Sequence, residues 1–187
     1  NTFEDAFVLA HELGHAMHFW HSDHSHDFFD AQYKMFVAEV ASITNEVLLN
    51  HYLIGKAESR EEKAYLINHL LDSFKGTLFR QAMLEEFEIE SNRMSETGVP
   101  ITADTLSELY LRLNKEYYGS AMVSDPLIGE EWSRVPHMYM NFYCYQYATS
   151  FAASVAVAKR ILTEGEPALK DYIRFLFIFR NAITCLL

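Results

Sequence analysis

The chain has 187 residues, of which 50% are hydrophobic and 14% aromatic, and its formal net charge is −11. That length and composition suffice for one domain with a sizeable core. The acidic balance argues against binding to nucleic acid or to an anionic membrane, because both attract clustered lysine and arginine. The sequence has no apolar run long enough to span a bilayer. Two cysteines are too few for a disulfide framework, so we expect Cys144 and Cys185 to be reduced and the protein to be cytoplasmic.

Apolar residues that recur every three or four positions predict an all-α fold, and only four prolines and seven glycines interrupt them. The first predicted helix covers residues 2–20, with Thr2 as its cap and Asp5 at the capping-box position. A polar loop is expected at residues 21–27. Further helices are predicted at about residues 29–54, 59–94, 102–119, 137–162 and after Pro167, with Gly55 ending the second and a loop at 120–136. The stretch 59–94 is predicted to be one long helix or two in series. We expect residues 1–187 to form a single helical domain.

The first predicted helix contains the pattern H-E-x-x-H, which is formed by His11, Glu12 and His15. Residues four apart lie on one face of a helix, so the two imidazoles can bind the same metal ion. Glu12 lies about a third of a turn round the helix, close enough to act as a base toward a water molecule at that ion. A catalytic zinc site uses three protein ligands and one open position, which leaves one ligand to find.

The third ligand is predicted to be a carboxylate on a later helix. A three-histidine site is excluded because no further histidine follows at the required spacing, and a di-iron site is disfavoured because it needs a second E-x-x-H unit. Glu39 and Glu46 are seven residues apart on an otherwise apolar helix face, where a buried carboxylate needs a partner. One of them is expected to bind the metal and the other to accept a hydrogen bond from a ligand histidine.

Two other groups of polar residues are given simpler interpretations. The histidines at positions 18, 21, 24 and 26 could suggest a second metal site, but a solvated loop is the favoured interpretation. The glutamates of the predicted helix at 59–94 are interpreted as a solvated face without a functional role.

Three stretches of the sequence together resemble a known family. Residues 9–18 (LAHELGHAMH) are similar to the zinc helix of the M3 peptidases, and residues 36–42 (FVAEVAS) are similar to the helix that carries that family's third ligand. Residues 132–139 (WSRVPHMY) and 142–149 (FYCYQYAT) resemble its C-terminal substrate-binding segment. Within the family, the chain most resembles the oligoendopeptidase F group, which is related to thimet oligopeptidase and neurolysin.

The resemblance implies a zincin-like helical catalytic domain from a larger two-lobed peptidase whose N-terminal lobe is absent here. It implies one Zn²⁺ ion held by His11, His15 and Glu39, which leaves Glu46 as the outer carboxylate. The implied activity is that of a metalloendopeptidase, a zinc-dependent hydrolase that cleaves short oligopeptides with Glu12 as general base.

The resemblance also implies roles for residues of the last segment, which in the family lies opposite the zinc. By position, His137 and Tyr143 would be catalytic, and Tyr139 and Tyr147 would bind substrate. An alternative hypothesis is a truncated, catalytically incompetent metal-binding domain. Its exposed apolar surface would then drive self-association into a homo-oligomer.

Overall fold

A computed structural model describes residues 2–29, 31, 33 and 35–177 of the chain. Every regular element within these residues is helical and no strand occurs among them, which confirms the predicted all-α class. The α-helices are α1 (Phe3–Ser25), α2 (Met35–Lys56), α3 (Arg60–Ser73), α4 (Arg80–Glu96), α5 (Ala103–Tyr118), α6 (Tyr145–Glu164) and α7 (Glu166–Leu176). A π-helix (Phe74–Phe79) joins α3 to α4, and two 3₁₀ helices (Pro126–Arg134 and Pro136–Tyr139) precede α6.

The chain divides into two compact units. The first unit comprises the chain up to Phe74 and from Thr149 onward, and the second unit is Lys75–Ala148. The first unit has a core built from α2, α6 and α7: Val37, Val40, Ala41, Val157, Tyr172, Phe175 and Leu176. The second unit has a core built mainly from α4 and α5: Met83, Leu84, Phe87, Leu109, Tyr110, Leu113, Val135 and Cys144.

The structure confirms the predicted Thr2 cap and shows a second capped helix start at Thr102. The Asp5 N–H donates to the Thr2 hydroxyl at 3.2 Å, and the Asp5 carboxylate accepts the Thr2 N–H at 2.7 Å. Thr102 caps α5 in the same way, with Thr105 as its partner, and Gly119 ends that helix with a φ of +68°. Side-chain caps satisfy backbone N–H groups that the first turn of a helix leaves without a partner.

The predicted boundaries of the first two helices were wrong. Helix α1 continues through the stretch expected to be a loop, and the buried Ser22 within it donates a hydrogen bond to the carbonyl of Ala31 at 2.6 Å. Helix α2 begins at Met35 and continues past Gly55 to Lys56. Gly55 does not have a positive φ, so it does not end the helix as a left-handed residue would.

The predictions for residues 120–162 also need correction. The expected loop contains the 3₁₀ helix Pro126–Arg134, whose capping residue Asp125 accepts the N–H of Leu127. The long helix predicted from His137 instead begins at Tyr145. Between His137 and Tyr145 the backbone turns at Phe142, which has a φ of +53°.

The two cysteines were predicted to be reduced. Cys144 is a buried free thiol, and burial raises its pKa to about 11. Cys185 lies outside the described residues. Within the part of the chain that the structure describes, no helix is both long and apolar enough to cross a membrane.

Candidate active site

The two helices that carry the predicted metal ligands touch through their backbones. A Cβ atom at Gly14 would lie 2.5 Å from the Cα of Ser42 and 2.7 Å from the carbonyl oxygen of Ala41, both on α2. The amide of Asn45 also donates to the carbonyl of Ala10 at 3.2 Å. Only glycine permits so close an approach, and this brings the histidine face of α1 against the glutamates of α2.

His11, His15 and Glu39 converge so that one ligand atom from each lies within 4.8 Å of the others. The two Nε2 atoms are 3.1 Å apart, and the Oε2 of Glu39 lies 3.6 Å from His11 and 3.9 Å from His15. In a tetrahedral zinc site with bonds of 2.0–2.1 Å, two ligand atoms are separated by about 3.4 Å. These three atoms therefore form a triangle of the size that a single zinc ion requires, and two imidazoles with one carboxylate are a donor set that suits zinc.

Glu46 contacts the other ring nitrogen of His11. Its Oε1 lies 2.5 Å from His11 Nδ1, and because a carboxylate can only accept, we assign the proton to Nδ1. This hydrogen bond raises the pKa of His11 in the metal-free protein, against the opposing effect of burial. It also leaves the lone pair of Nε2 pointing toward His15 and Glu39, as a metal ligand needs.

Ser42, which was not predicted from the sequence, also belongs to this site. Its hydroxyl lies 2.9 Å from Oε2 of Glu39, the oxygen nearest both histidines, and donates a hydrogen bond to it. Ser42 follows Glu39 by three residues, so helix spacing could have suggested the contact. Glu39 and Ser42 are both buried, whereas Glu12, on α1 between the two histidines, is exposed and open to solvent or substrate.

Three of the predicted site residues form an aromatic group in the second unit: His137, Tyr143 and Tyr147. The Tyr143 ring stacks on the His137 ring with centroids 5.4 Å apart and planes 5° from parallel. Tyr147 meets both rings edge-on at 5.7 Å. Tyr139 is not in ring contact with this group in the described structure; it is 74% exposed, and its hydroxyl lies 3.4 Å from the carbonyl of Ser133.

The histidine-rich stretch after His15 is not a solvated loop. His18 is buried within α1, stacked on Tyr33 at 3.8 Å, and burial lowers its pKa to about 4. The Nε2 of His26 lies 2.7 Å from the carbonyl oxygen of Phe177, and because a carbonyl oxygen can only accept, His26 is the donor. Among the described residues, no group of potential metal ligands includes these histidines.

The glutamates of α4 are not a simple solvated face either. Glu86 accepts a hydrogen bond from the Tyr117 hydroxyl at 2.7 Å, and Glu88 is 7% exposed. Glu85 and Glu88 both accept backbone N–H groups from the segment that carries Tyr143. In the sequence, glutamates alternate with apolar residues along this helix, and that pattern does not show which carboxylates make contacts within the protein and which are exposed.

Comparison with curated proteins finds oligopeptidases that are similar to this chain. The chain is 45% identical to oligopeptidase PepF of Bacillus subtilis over 94% of its own length, which is 26% of that protein. It is 38% identical to an oligoendopeptidase F homolog of Lactococcus lactis, again over 94% of its length and 29% of the relative. The chain therefore spans less than a third of the length of these relatives.

A solved structure is equally similar. The crystal structure of oligoendopeptidase-F from Enterococcus faecium matches with a TM-score of 0.85 and 40% identity, over 98% of this chain and 33% of that one. The model of peptidase family M3 matches residues 2–177, which include all three motifs identified in the sequence. The predicted resemblance is thus confirmed, and the chain belongs to peptidase family M3.

Proposed function

We propose that this chain is the catalytic portion of a zinc-dependent oligopeptidase, one helical catalytic domain of a larger peptidase. The observation that carries the proposal is the triangle formed by His11, His15 and Glu39, whose edges of 3.1, 3.6 and 3.9 Å suit one zinc ion per chain. The names of the relatives support short peptides as substrates. The acidic composition gives no support for a nucleic acid partner, and the few cysteines are consistent with the cytoplasm.

Each polar residue around the triangle has a separate proposed task. When bound, zinc would polarise the scissile carbonyl and lower the pKa of a water molecule. Glu12 accepts a proton from the attacking water and passes it to the leaving nitrogen. Glu46 keeps His11 in the tautomer that presents Nε2, and Ser42 fixes the binding oxygen of Glu39.

We assign the remaining roles on the family resemblance together with the ring contacts. Tyr143 and His137 are proposed to donate hydrogen bonds to the oxygen that gains negative charge, each of which can be worth about 10²–10³ in rate. Tyr147 touches both rings and is proposed to contact substrate with them. Tyr139 is proposed as a further substrate contact because its ring is exposed.

The test is turnover of an internally quenched fluorescent peptide by the purified chain, with and without a chelator. We expect chelator-sensitive cleavage in the wild type. Glu12→Gln should bind zinc as the wild type does, measured by elemental analysis, and should lose cleavage because an amide cannot accept the proton. Full activity in this variant would rule out the proposed mechanism.

Tyr143→Phe tests the second group of residues. Losing one hydroxyl should lower kcat by about 10²-fold with zinc content unchanged, because the ring contacts with His137 need no hydroxyl. An unaltered kcat would make Tyr143 a packing residue.

A second candidate function rests on the exposed apolar side chains of α1. Val8, Leu9 and Leu13 are each more than half exposed, as are Phe19 and Trp20. A metal-binding domain that lacks turnover could self-associate through such a surface. Zinc binding without cleavage, together with a dimer or larger species by light scattering, would favour this function.

A further inference from the structure

Two carboxylates of α4 hold the backbone on either side of Tyr143. The Oε1 of Glu88 accepts the N–H of Phe142 at 2.6 Å, and the Oε2 of Glu85 accepts the N–H of Tyr145 at 3.0 Å. The two glutamates are three residues apart and so share one face of the helix. Tyr143 therefore lies between two backbone positions that are both anchored to α4.

The bond to Glu88 involves the most unusual backbone position of the segment. Phe142 has a φ of +53°, a left-handed conformation that side chains other than glycine rarely adopt. Such a residue persists only where its surroundings hold it in place. A charged acceptor on its N–H is a strong way to do so, since hydrogen bonds to ionised groups are about twice as strong as neutral ones.

Packing alone does not explain Glu88. The residue is 7% exposed, and its Oε2 has no hydrogen-bond partner among the described residues. Burying a carboxylate with one oxygen unsatisfied costs stability. An apolar side chain of similar volume would serve the core equally well or better, so the carboxylate indicates a need for its acceptor.

The anchored positions determine where two of the three aromatic rings lie. Phe142 directly precedes Tyr143, whose ring stacks on His137. Tyr145 is the first residue of α6, and a carboxylate bound there is favoured by the helix dipole. That first turn carries Tyr147, the third ring of the group. Both anchors thus act on the geometry of the aromatic group.

We propose that Glu88, with Glu85 beside it, is a positioning residue for peptide hydrolysis. Glu88 fixes the left-handed turn at Phe142, and this turn holds Tyr143 stacked on His137. The catalytic part of this inference rests on the proposed function of Tyr143 and His137. The positioning part rests only on contacts within the second unit and can be tested without turnover.

The first experiment is NMR of the His137 ring protons in Glu88→Leu. Leucine keeps volume and apolar packing but cannot accept the Phe142 N–H. We expect the His137 resonance to move toward its position in Tyr143→Leu, where the stacked ring that shifts it is absent, while helical circular dichroism and thermal stability are retained. Glu88→Gln should restore the wild-type resonance, because its amide oxygen can accept the same N–H.

Peptide cleavage gives the second measurement. In Glu88→Leu we expect kcat to fall on the order of 10-fold to 100-fold, the effect of misplacing a catalytic group, with KM and zinc content unchanged. Glu88→Gln should stay within about 3-fold of the wild type. The matched control is Glu90→Ala on the same helix, which removes an ion pair with Arg93 and should leave both resonance and kcat unchanged.

Phe142→Gly adds an independent test. Glycine adopts a positive φ without steric cost, so Glu88→Leu should lose less activity, and shift the His137 resonance less, in a Phe142→Gly chain than in the wild type. Additive effects would instead mean that Glu88 does not act through this turn, and would overturn the proposal.

The outcomes separate this proposal from the proposed function. An unmoved His137 resonance in Glu88→Leu would overturn the positioning role whatever the activity, as would loss of helical structure in that variant. A moved resonance in a wild-type chain that cleaves no peptide would support the positioning role and count against the proposed function.

Discussion

The triangle of candidate metal ligands in the first unit and the aromatic group of the second unit are held in place in different ways. His11, His15 and Glu39 project from two regular helices, which meet backbone to backbone at Gly14. Tyr143 lies on irregular backbone between two positions whose N–H groups are bound by carboxylates of α4, and its ring stacks on His137 of a short 3₁₀ helix. The triangle therefore depends on how two helices pack, whereas the aromatic group depends on a few hydrogen bonds.

The two groups of residues should respond differently to mutation. Helix packing distributes its free energy over many contacts, so single polar deletions around the triangle should weaken metal binding without dispersing the ligands. A turn that depends on one acceptor, as at Phe142, should respond to the loss of that acceptor alone. Variants at Glu39, Glu46 and Gly14 test the dependence on helix packing, and Glu88→Leu tests the dependence on a single hydrogen bond.

The largest effect is expected from Glu39→Ala. Residues that hydrogen-bond to a metal ligand typically contribute about 10-fold to 100-fold to metal affinity, so Glu46→Ala should lower zinc affinity by that factor through His11. Glu39→Ala removes one of the three proposed ligands and should lower zinc affinity by more than about 100-fold. Competition with a calibrated chelator measures both. Equal losses in the two variants, or zinc retained on dialysis of Glu39→Ala, would point to Glu46 as the ligand.

A smaller but broader effect is expected from Gly14→Ala. The new methyl group would meet the α2 backbone at 2.5–2.8 Å, and backbone cannot move aside as a flexible side chain can. We expect a loss of about 1–3 kcal/mol in the free energy of unfolding, measured by urea denaturation, together with weaker zinc binding as α1 moves away from α2.

Gly55→Ala is the matched control for that variant. Gly55 lies within α2 and a Cβ there meets nothing within 4 Å, so alanine should be neutral or slightly stabilising and should leave zinc binding unchanged. Similar losses in both glycine variants would mean that the close approach of α1 and α2 does not set the triangle.

The same difference explains how much could be predicted from the sequence. In a regular helix, residues four apart lie on the same face, so the spacing of His11 and His15 was enough to predict that their side chains lie together. The choice between Glu39 and Glu46 needed the family resemblance, because residues seven apart satisfy the same spacing. The cap at Thr2 was predictable because it depends on residues only three apart.

The segment around Phe142 could not be predicted from local pattern. Its aromatic residues fit helical periodicity, and neither glycine nor proline lies between Met138 and Tyr145 to mark a break. The turn is stabilised by Glu88, 54 residues earlier in the chain, so its cause is tertiary. The stretch after His15 was misjudged for a related reason, since its polar residues indicated a loop while two of them, His18 and Ser22, are buried.

The effect expected to be smallest at neutral pH concerns the buried histidine of α1, because it grows only in acid. His18 is stacked on Tyr33, and its Nδ1 has no hydrogen-bond partner in the described part of the chain. Burial, with the neighbouring His15 and His21 adding to it, lowers the pKa of His18 from 6.5 to about 4. Packing here favours the neutral ring, so acid should weaken the packing of α1 around His18.

The direction of this pH effect on stability follows from which state of the chain binds the proton. Between pH 6.5 and about 4 the unfolded chain protonates this histidine and the folded chain does not, so acid favours unfolding. The resulting loss of stability should be about 2 kcal/mol between pH 7 and pH 5 and should level off below pH 4. His18→Phe keeps an aromatic ring on Tyr33 and removes the titration, so it should lack this loss.

The measurement is urea denaturation of metal-free wild type and His18→Phe at pH 7, 6 and 5. Taking the difference between the two chains cancels the contribution of His11 and the other histidines, which both chains share. His24→Phe, at an exposed position of the same helix, should follow the wild type. Parallel pH profiles for wild type and His18→Phe would contradict the buried neutral state, and the acid sensitivity of the first unit would then have to come from groups other than His18.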